Sequence, residues 1–432
     1  MASLLSRIDL RGATGDLRSL LPAPDVAGEG PTEAVRAILR RVREGGDAAV
    51  RELTQRFDHV DVAELRVTDA EVKAGLATVP GPLREALEAA KDNIEAYHRI
   101  QLHPDGEHYD RGLRVRELRR PVDRAGLYVP GGRAPLASTV LMTAVPARVA
   151  GVAELAMVTP PGPGGAVAPA ILAAAAIAGV DEIYRVGGAQ GVGALAYGTE
   201  TVRPVDVIVG PGNVYVATAE RLVAQEGAVG VPSAFTGPSE VAVVADDSTE
   251  VDWAAIDIVV QAEHGPDGLA YLITWSEEVL DAVTVAVDRF TAASPRSAEI
   301  TSTLERGGYA VLVDGPEQAM DVANVIAAEH LELMTADPES LVAMVRSAGA
   351  VFCGPWAPAS VGDYVAGPSH VLPTARSARF GSALRVDDFC KHIHVVDLDR
   401  DALVRLAPHV AAIADVEGLV AHGDSVRMRA GS

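Results

Sequence analysis

The chain of 432 residues carries 37 Lys and Arg against 59 Asp and Glu, a net charge of −22 at pH 7. So acidic a balance argues against nucleic acid or an anionic membrane as partner, because both recruit a basic surface. Hydrophobic residues at 48% and charged residues at 22% are those of an ordinary soluble globular protein with room for more than one domain. Two cysteines, Cys353 and Cys390, stand without paired spacing. That suits a reducing compartment and excludes a disulfide framework or a cysteine zinc knuckle. The start, Met1-Ala2-Ser3-Leu4-Leu5-Ser6-Arg7, lacks the apolar run of a signal peptide. The most apolar stretch, Ala166 to Val180, contains Pro169 and is shorter than the ~20 residues a membrane span needs. It reads as a buried helix, and a cytoplasmic protein is expected.

Residues 1–24 carry little pattern and read as an extended arm. From Thr32 a helical stripe runs through Val35, Ile38, Leu39 and Val42. Gly45-Gly46 breaks it, and Asp47 is placed to cap a second helix. Thr68 with Glu71 makes a capping box for a third, and a longer helix follows from Pro82 to His98. Near Leu113 the rhythm changes to strand, glycine or proline turn, helix. Strands are expected at Ala125 to Val129, Leu155 to Thr159, Glu182 to Val186 and Val205 to Val209. A second series has strands at Val241 to Ala245, Ala270 to Thr274, Tyr309 to Val313 and Ala350 to Cys353. This alternation predicts α/β units with parallel, doubly wound sheets. After Arg379 come a short strand, His392 to Val396, and a helix with Leu403, Leu406, Val410 and Ile413. So small a tail is expected to lay its apolar stripe on another part of the molecule or on a partner chain.

Several stretches could carry chemistry. Gln261-Ala262-Glu263-His264-Gly265-Pro266-Asp267 closes a helix at a strong stop signal. Gln261 and His264 lie three apart, so they share a helix face. They are either the start of a metal site that needs further ligands, or a polar turn with an exposed histidine. In open parallel sheets ligands bind beyond the carboxyl ends of strands, where the glycine turns fall. Gly187-Gly188-Ala189-Gln190-Gly191 is either a phosphate cradle or a tight turn. Gly210-Pro211-Gly212-Asn213 and Tyr128-Val129-Pro130-Gly131-Gly132 are similar turns that add a carboxamide and an aromatic face. Glu329-His330 pairs a carboxylate with an imidazole, two groups for proton transfer near neutral pH, or else a solvated acid and a cap. Asp363 falls in a loop after the last strand, where an aspartate is usually a turn former. His370, Glu417 and His422 read either way.

Taken in order, these stretches resemble the histidinol dehydrogenases over nearly the whole chain, from about residue 30 to residue 428. The matching segments are Tyr128 to Met142, Val186 to Glu200, Gly210 to Asn213, Gly237-Pro238-Ser239-Glu240, Gln261 to Asp267, Glu329-His330-Leu331, Gly362-Asp363-Tyr364, His370 to Thr374, Asp388-Phe389 and Glu417 to His422. The resemblance implies oxidation of L-histidinol, through the aldehyde, to L-histidine with two NAD⁺. It implies one Zn²⁺ per subunit on Gln261, His264, Asp363 and His422. His330 resembles the base that takes the hydroxyl proton, and Glu329 the base that activates water on the aldehyde. Ser239, His370 and Glu417 resemble substrate contacts, as do His330 and the metal ligands. Tyr128, Gln190 and Asn213 resemble NAD contacts.

The resemblance also implies an intertwined homodimer of two Rossmann-like domains and a small C-terminal domain. The expected division is an arm at 1–24 and a domain of 25–127 with 240–378 that holds the metal ligands and catalytic pair. A second domain, 128–239, lies on the NAD side, and 379–432 completes the partner's site. Three stretches depart from the family pattern. Pro232 to Thr236 stands where the family reads Ile-Asp-x-x-Ala, Val259-Val260 replaces Leu-Ser, and Ala375-Arg376 replaces a glycine. None is a carried-over site position. They leave open a paralogue that oxidises another amino or sulfonated alcohol with the same zinc and NAD chemistry. A catalytically idle binding protein on the same fold is a third reading, which the intact Glu329, His330 and Asp363 disfavour.

Overall fold

The computed structural model describes residues 3–22, 31–131, 134–232, 237, 239–263, 265 and 267–431. The chain opens with strand β1 (Ser6–Asp9), then helices α1 (Thr32–Asp58), α2 (Asp69–Thr78) and α3 (Gly81–Arg99), then strands β2 (Gly106–Asp110) and β3 (Leu113–Pro121). A first alternating series follows: β4 (Arg124–Tyr128), α4 (Ala137–Ala150), β5 (Glu154–Thr159), α5 (Pro169–Ala178), β6 (Glu182–Arg185), α6 (Gly188–Tyr197), β7 (Val207–Val209) and α7 (Val214–Gln225). The second series is β8 (Glu240–Ala245), α8 (Val251–Ala262), β9 (Leu269–Thr274), α9 (Glu277–Ala293), α10 (Ser297–Gly307), β10 (Gly308–Leu312), α11 (Pro316–Ile326), β11 (His330–Met334), α12 (Pro338–Val342), β12 (Ala350–Cys353) and α13 (Ala359–Tyr364). Strand β13 (Cys390–Leu398) and helices α14 (Arg400–Glu417) and α15 (Val420–Ala430) follow. Among the described residues no helix is long and apolar enough to cross a membrane.

Both expected parallel sheets are present. The first has the order β6-β5-β4-β7, the second β1-β10-β9-β8-β11-β12. Helices cover both faces of each, so runs such as Val241-Ala242-Val243-Val244-Ala245 are buried residue after residue rather than alternately. A third, antiparallel sheet has the order β13-β3-β2 and ties the C-terminal segment to the body.

The opening helices are not where 25–127 with 240–378 would put them. They pack on the first sheet, not the second. Helix α1 lies on α6 and α7, α2 on α5, and α3 on α4 and α5. The reason is local fit. A Cβ on Gly193 of α6 would come within 3.1 Å of Leu39, so the missing side chain lets the apolar stripe of α1 settle close. The described part of the expected arm, residues 3–22, is more ordered than its sequence suggests. Its residues Ser6–Asp9 add an edge strand to the second sheet, with Ser6 opposite Tyr309.

The capping box of α2 forms, with the Thr68 side chain accepting from the Glu71 N–H and Glu71 accepting from the Thr68 N–H. Helix α1 kinks at Gly46, but Asp47 does not cap the second half. Its carboxylate accepts from the Thr199 hydroxyl at 2.5 Å and from the hydroxyl of Thr201, while its own N–H donates to Glu200. The kink thereby becomes a clamp between α1 and the turn before β7.

Candidate active site

The candidate groups lie at opposite ends of the strands in the two sheets. In the first, a cleft of ≈ 1030 Å³ opens beyond the carboxyl ends of β4 to β7, the end that parallel sheets use for ligands. Tyr128, Gln190 and Asn213 all line it, with Pro130, Pro160 to Pro163 and Gly188. Tyr128 is buried and its phenol oxygen accepts the Gly188 N–H at 2.9 Å, which pins the turn into α6. Burial pushes that phenol well up, so it stays neutral. Asn213 caps α7: its Oδ1 accepts from the N–H groups of Tyr215 at 3.0 Å and Val216 at 3.2 Å. The turn before it needs glycine. Gly210 has φ +132°, and a Cβ there would sit 2.1 Å from the Tyr128 carbonyl oxygen.

In the second sheet the reactive groups gather at the amino ends of β8 and β11. Glu329 precedes β11 and His330 opens it; both are buried. Ser239 precedes β8. Its hydroxyl donates to Glu329 Oε2 at 2.7 Å, and the Glu240 N–H donates to the same oxygen at 3.1 Å. His330 Nδ1 lies 3.2 Å from the Glu240 carbonyl and 3.7 Å from Glu329 Oε2. Its Nε2 lies 3.4 Å from Asp363 Oδ1. Burial works against an imidazolium here, but Glu329 and then Asp363 outweigh it and hold His330 up at about 9. Burial raises Glu329 as well, against the pull of His330 and the two hydrogen bonds from Ser239 and Glu240. Asp363 is not in a loop, as its sequence context suggests, but on α13. Its carbonyl oxygen meets His370 Nδ1 at 2.9 Å, and His370 Nε2 reaches Thr139 Oγ1 of α4 at 3.1 Å. That contact joins the reactive edge of the second sheet to the cleft end of the first.

Gln261 is buried one residue before the end of α8, and its amide nitrogen has no hydrogen-bond partner among the described residues. An orphaned amide group at this depth is costly unless a ligand satisfies it. His264 lies outside the described residues. Among the described residues no group of three or more His, Cys, Asp and Glu side chains converges as a metal cage. The reason is visible in the expected set. One donor is a carboxamide, one is His264, and His422 is exposed on α15. Glu417 is exposed too, at the end of α14. Helices α14 and α15 pack chiefly on each other, and their chain leaves the body along β13. Gln261 and Asp363 remain as oxygen donors on the body, and oxygen with imidazole nitrogen is a set Zn²⁺ accepts.

Sequence reasoning passed over two acids. Glu240 opens β8, is almost fully buried, and gives its N–H and C=O to Glu329 and His330. Glu332 lies on β11, two residues beyond His330. The available signal was an acidic residue inside or at the start of an otherwise apolar strand.

A pair of parallel-sheet units, one carrying a ligand-sized cleft and the other a buried acid–base pair, suits an oxidoreductase. Comparison with known proteins narrows the class. A sequence model described as histidinol dehydrogenase matches residues 24–430. A histidinol dehydrogenase of Synechococcus sp. is 47% identical over 405 residues, 92% of this chain and 91% of that one. Another, from Rhizobium meliloti, is 47% identical over 96% of this chain and 95% of its own. The crystal structure of histidinol dehydrogenase from Elizabethkingia anophelis superposes with a TM-score of 0.94 at 32% identity, over 99% and 98% of the two chains. The chain belongs to the histidinol dehydrogenase family.

Proposed function

We propose that this protein oxidises L-histidinol to L-histidine in two NAD-linked steps at a zinc-holding site. The observation that carries the reading is the chain of contacts from Ser239 to Glu329, His330 and Asp363, with His370 on the Asp363 carbonyl. The four-stranded sheet is the NAD side, since its cleft is large enough for a dinucleotide and is lined by Tyr128, Gln190 and Asn213. The six-stranded sheet is the chemical side.

In the first step the carbinol carbon gives hydride to the nicotinamide while His330 takes the hydroxyl proton, leaving the aldehyde. Glu329 then removes a proton from water as it adds to the aldehyde, and His330 returns its proton to the former carbonyl oxygen, giving the hydrate. The hydrate gives up a second hydride and its proton passes to His330, leaving the acid. Ser239 steers Glu329 through its hydroxyl. A Zn²⁺ held by Gln261, His264, Asp363 and a partner chain's residue 422 would supply positive charge that grips the substrate's nitrogens and offsets the pull of Asp363 on His330.

The assembly is proposed as a homodimer. Val410, Ile413, Val416, Leu419, Val420 and Met428 leave an apolar surface exposed on α14 and α15. A second exposed apolar patch, Trp253, Ile256, Trp356, Val361 and Tyr364, surrounds the elements that carry Gln261 and Asp363. Each is a surface that a second copy would cover. The absence of paired cysteines among the described residues favours a reducing, cytoplasmic setting.

The test is turnover. Purified, zinc-loaded protein with L-histidinol and NAD⁺ should form two NADH per histidine. No turnover with histidinol, together with activity on another amino or sulfonated alcohol, would move the assignment to a paralogue.

A further inference from the structure

Glu332 sits on β11 two residues after His330, so the two side chains leave the same face of the strand. It is 1% exposed. Its Oε1 accepts the backbone N–H of Ala359, the first residue of α13, at 2.9 Å. Its Oε2 finds no N–H or O–H donor among the described residues. What it meets is the carboxyl group of Asp257. Asp257 is on α8, four residues before Gln261, and therefore one turn below it on the same face. Two carboxyl groups in contact, Glu332 buried and Asp257 half-buried, disfavour ionising together. Burial and the Asp257 charge push Glu332 up to about 8, so near neutrality one proton lies between them, with the Glu332 O–H donating to Asp257.

Three elements meet at this pair, and each carries one site residue a short step away. On α8 the step is Asp257 to Gln261. On β11 it is Glu332 to His330. On α13 it is the Ala359 N–H to Asp363. We propose that the Glu332–Asp257 pair is a positioning device, which fixes α8, β11 and α13 to one another so that Gln261 and Asp363 keep the spacing a bound divalent metal requires. The inference rests on the ligand set proposed above. The competing idea is a buried polar pair of no consequence to the site, which an apolar side chain would replace without loss.

The experiment measures metal binding, not turnover. Full-length apo-protein is titrated with Zn²⁺ against a chelator, and the Co²⁺-loaded form is examined for its visible d–d bands. Glu332→Gln keeps an acceptor for Ala359 and a donor for Asp257, so affinity should stay within about threefold of the parent. Glu332→Leu removes both, and affinity should fall by about 10–100-fold with altered cobalt bands. Ala359→Pro replaces the N–H that Glu332 holds with a ring carbon that pushes the carboxyl away, at a first helical position where proline is tolerated. It should give the same loss, and it serves if the leucine variant does not fold. Parent-like affinity and cobalt bands in Ala359→Pro or in folded Glu332→Leu would overturn the proposal. Asp363→Ala runs in parallel. If it binds metal as the parent does, the ligand set is wrong. If it loses metal while the positioning variants do not, only the positioning role falls.

Discussion

Glu329 and Glu240 are treated alike by burial and differently by hydrogen bonding. Glu329 receives a hydroxyl and a backbone N–H on one oxygen, both of which favour its charged form. Glu240 accepts backbone N–H groups alone, that of Ala375 at 3.1 Å and that of Glu329, and its Oε2 has no donor among the described residues. Burial and the neighbouring Glu329 therefore push Glu240 up to about 8. The acid proposed to activate water is the one whose carboxylate accepts a hydroxyl as well as a backbone N–H, and its neighbour supplies the backbone groups that aim the site. If Glu329 serves the second oxidation, Glu329→Gln should still form the first NADH and then stall. Single-turnover absorbance would show about one NADH per site where the parent shows two, with histidine formation slowed by about 10²–10⁴-fold. Equal loss of both NADH would remove Glu329 from the water-activating role.

Glu240 also makes stability depend on pH. A carboxyl whose folded pKa is raised contributes fully below its unfolded value near 4.5 and loses that contribution as pH climbs through about 8. Between those limits the fold holds a proton that the unfolded chain has released. Urea unfolding from pH 5 to 8 should therefore show a falling stability, of which Glu240 accounts for about 1.4 kcal/mol per pH unit. In Glu240→Gln that part of the slope should vanish. An unchanged slope would mean that Glu240 is ionised in the fold.

At the scale of elements, the sequence was legible where pattern and local chemistry agree. The apolar runs of β4, β5, β8 and β9 and the Thr68–Glu71 cap read directly. So did the departure at Ala375-Arg376 from a family glycine, since both residues take left-handed φ values, 53° and 63°. What could not be read was set by contacts distant in sequence. His330-Leu331-Glu332-Leu333-Met334 is missing from the expected strands, because a histidine and a glutamate interrupt the apolar run. It becomes a central strand only because β8 and β12 flank it, with Val241 and Ala350 beside His330. Asp363 looked like a turn residue because α13 is a short helix whose first N–H is held by an acid 27 residues upstream. The packing of α1 was hidden for the same reason, since its stripe shows that it packs and not on which sheet.

For the whole molecule, the body and its C-terminal segment pose a single question. Glu417 and His422 are exposed on helices that pack chiefly on each other. Strand β13 holds this segment to β3 from Cys390 opposite Pro121 to Leu398 opposite Leu113, and Arg405 reaches the Arg111 carbonyl at 2.9 Å. The segment is thus tied to the three-stranded sheet β13-β3-β2, and its two helices pack chiefly on each other. If a second copy supplies residue 422, each site is built from two chains, and damage to the two chains can be separated. Glu329→Gln harms the site on its own body, whereas His422→Ala harms the site on the partner. Each variant alone should make little histidine. Unfolded together and refolded as a mixture, half the dimers should be mixed. Each of those would hold one site with both lesions and one with neither, so activity should return to about a quarter of the parent level. Recovery no greater than the sum of the two separate variants would place residue 422 in its own chain's site, or in none.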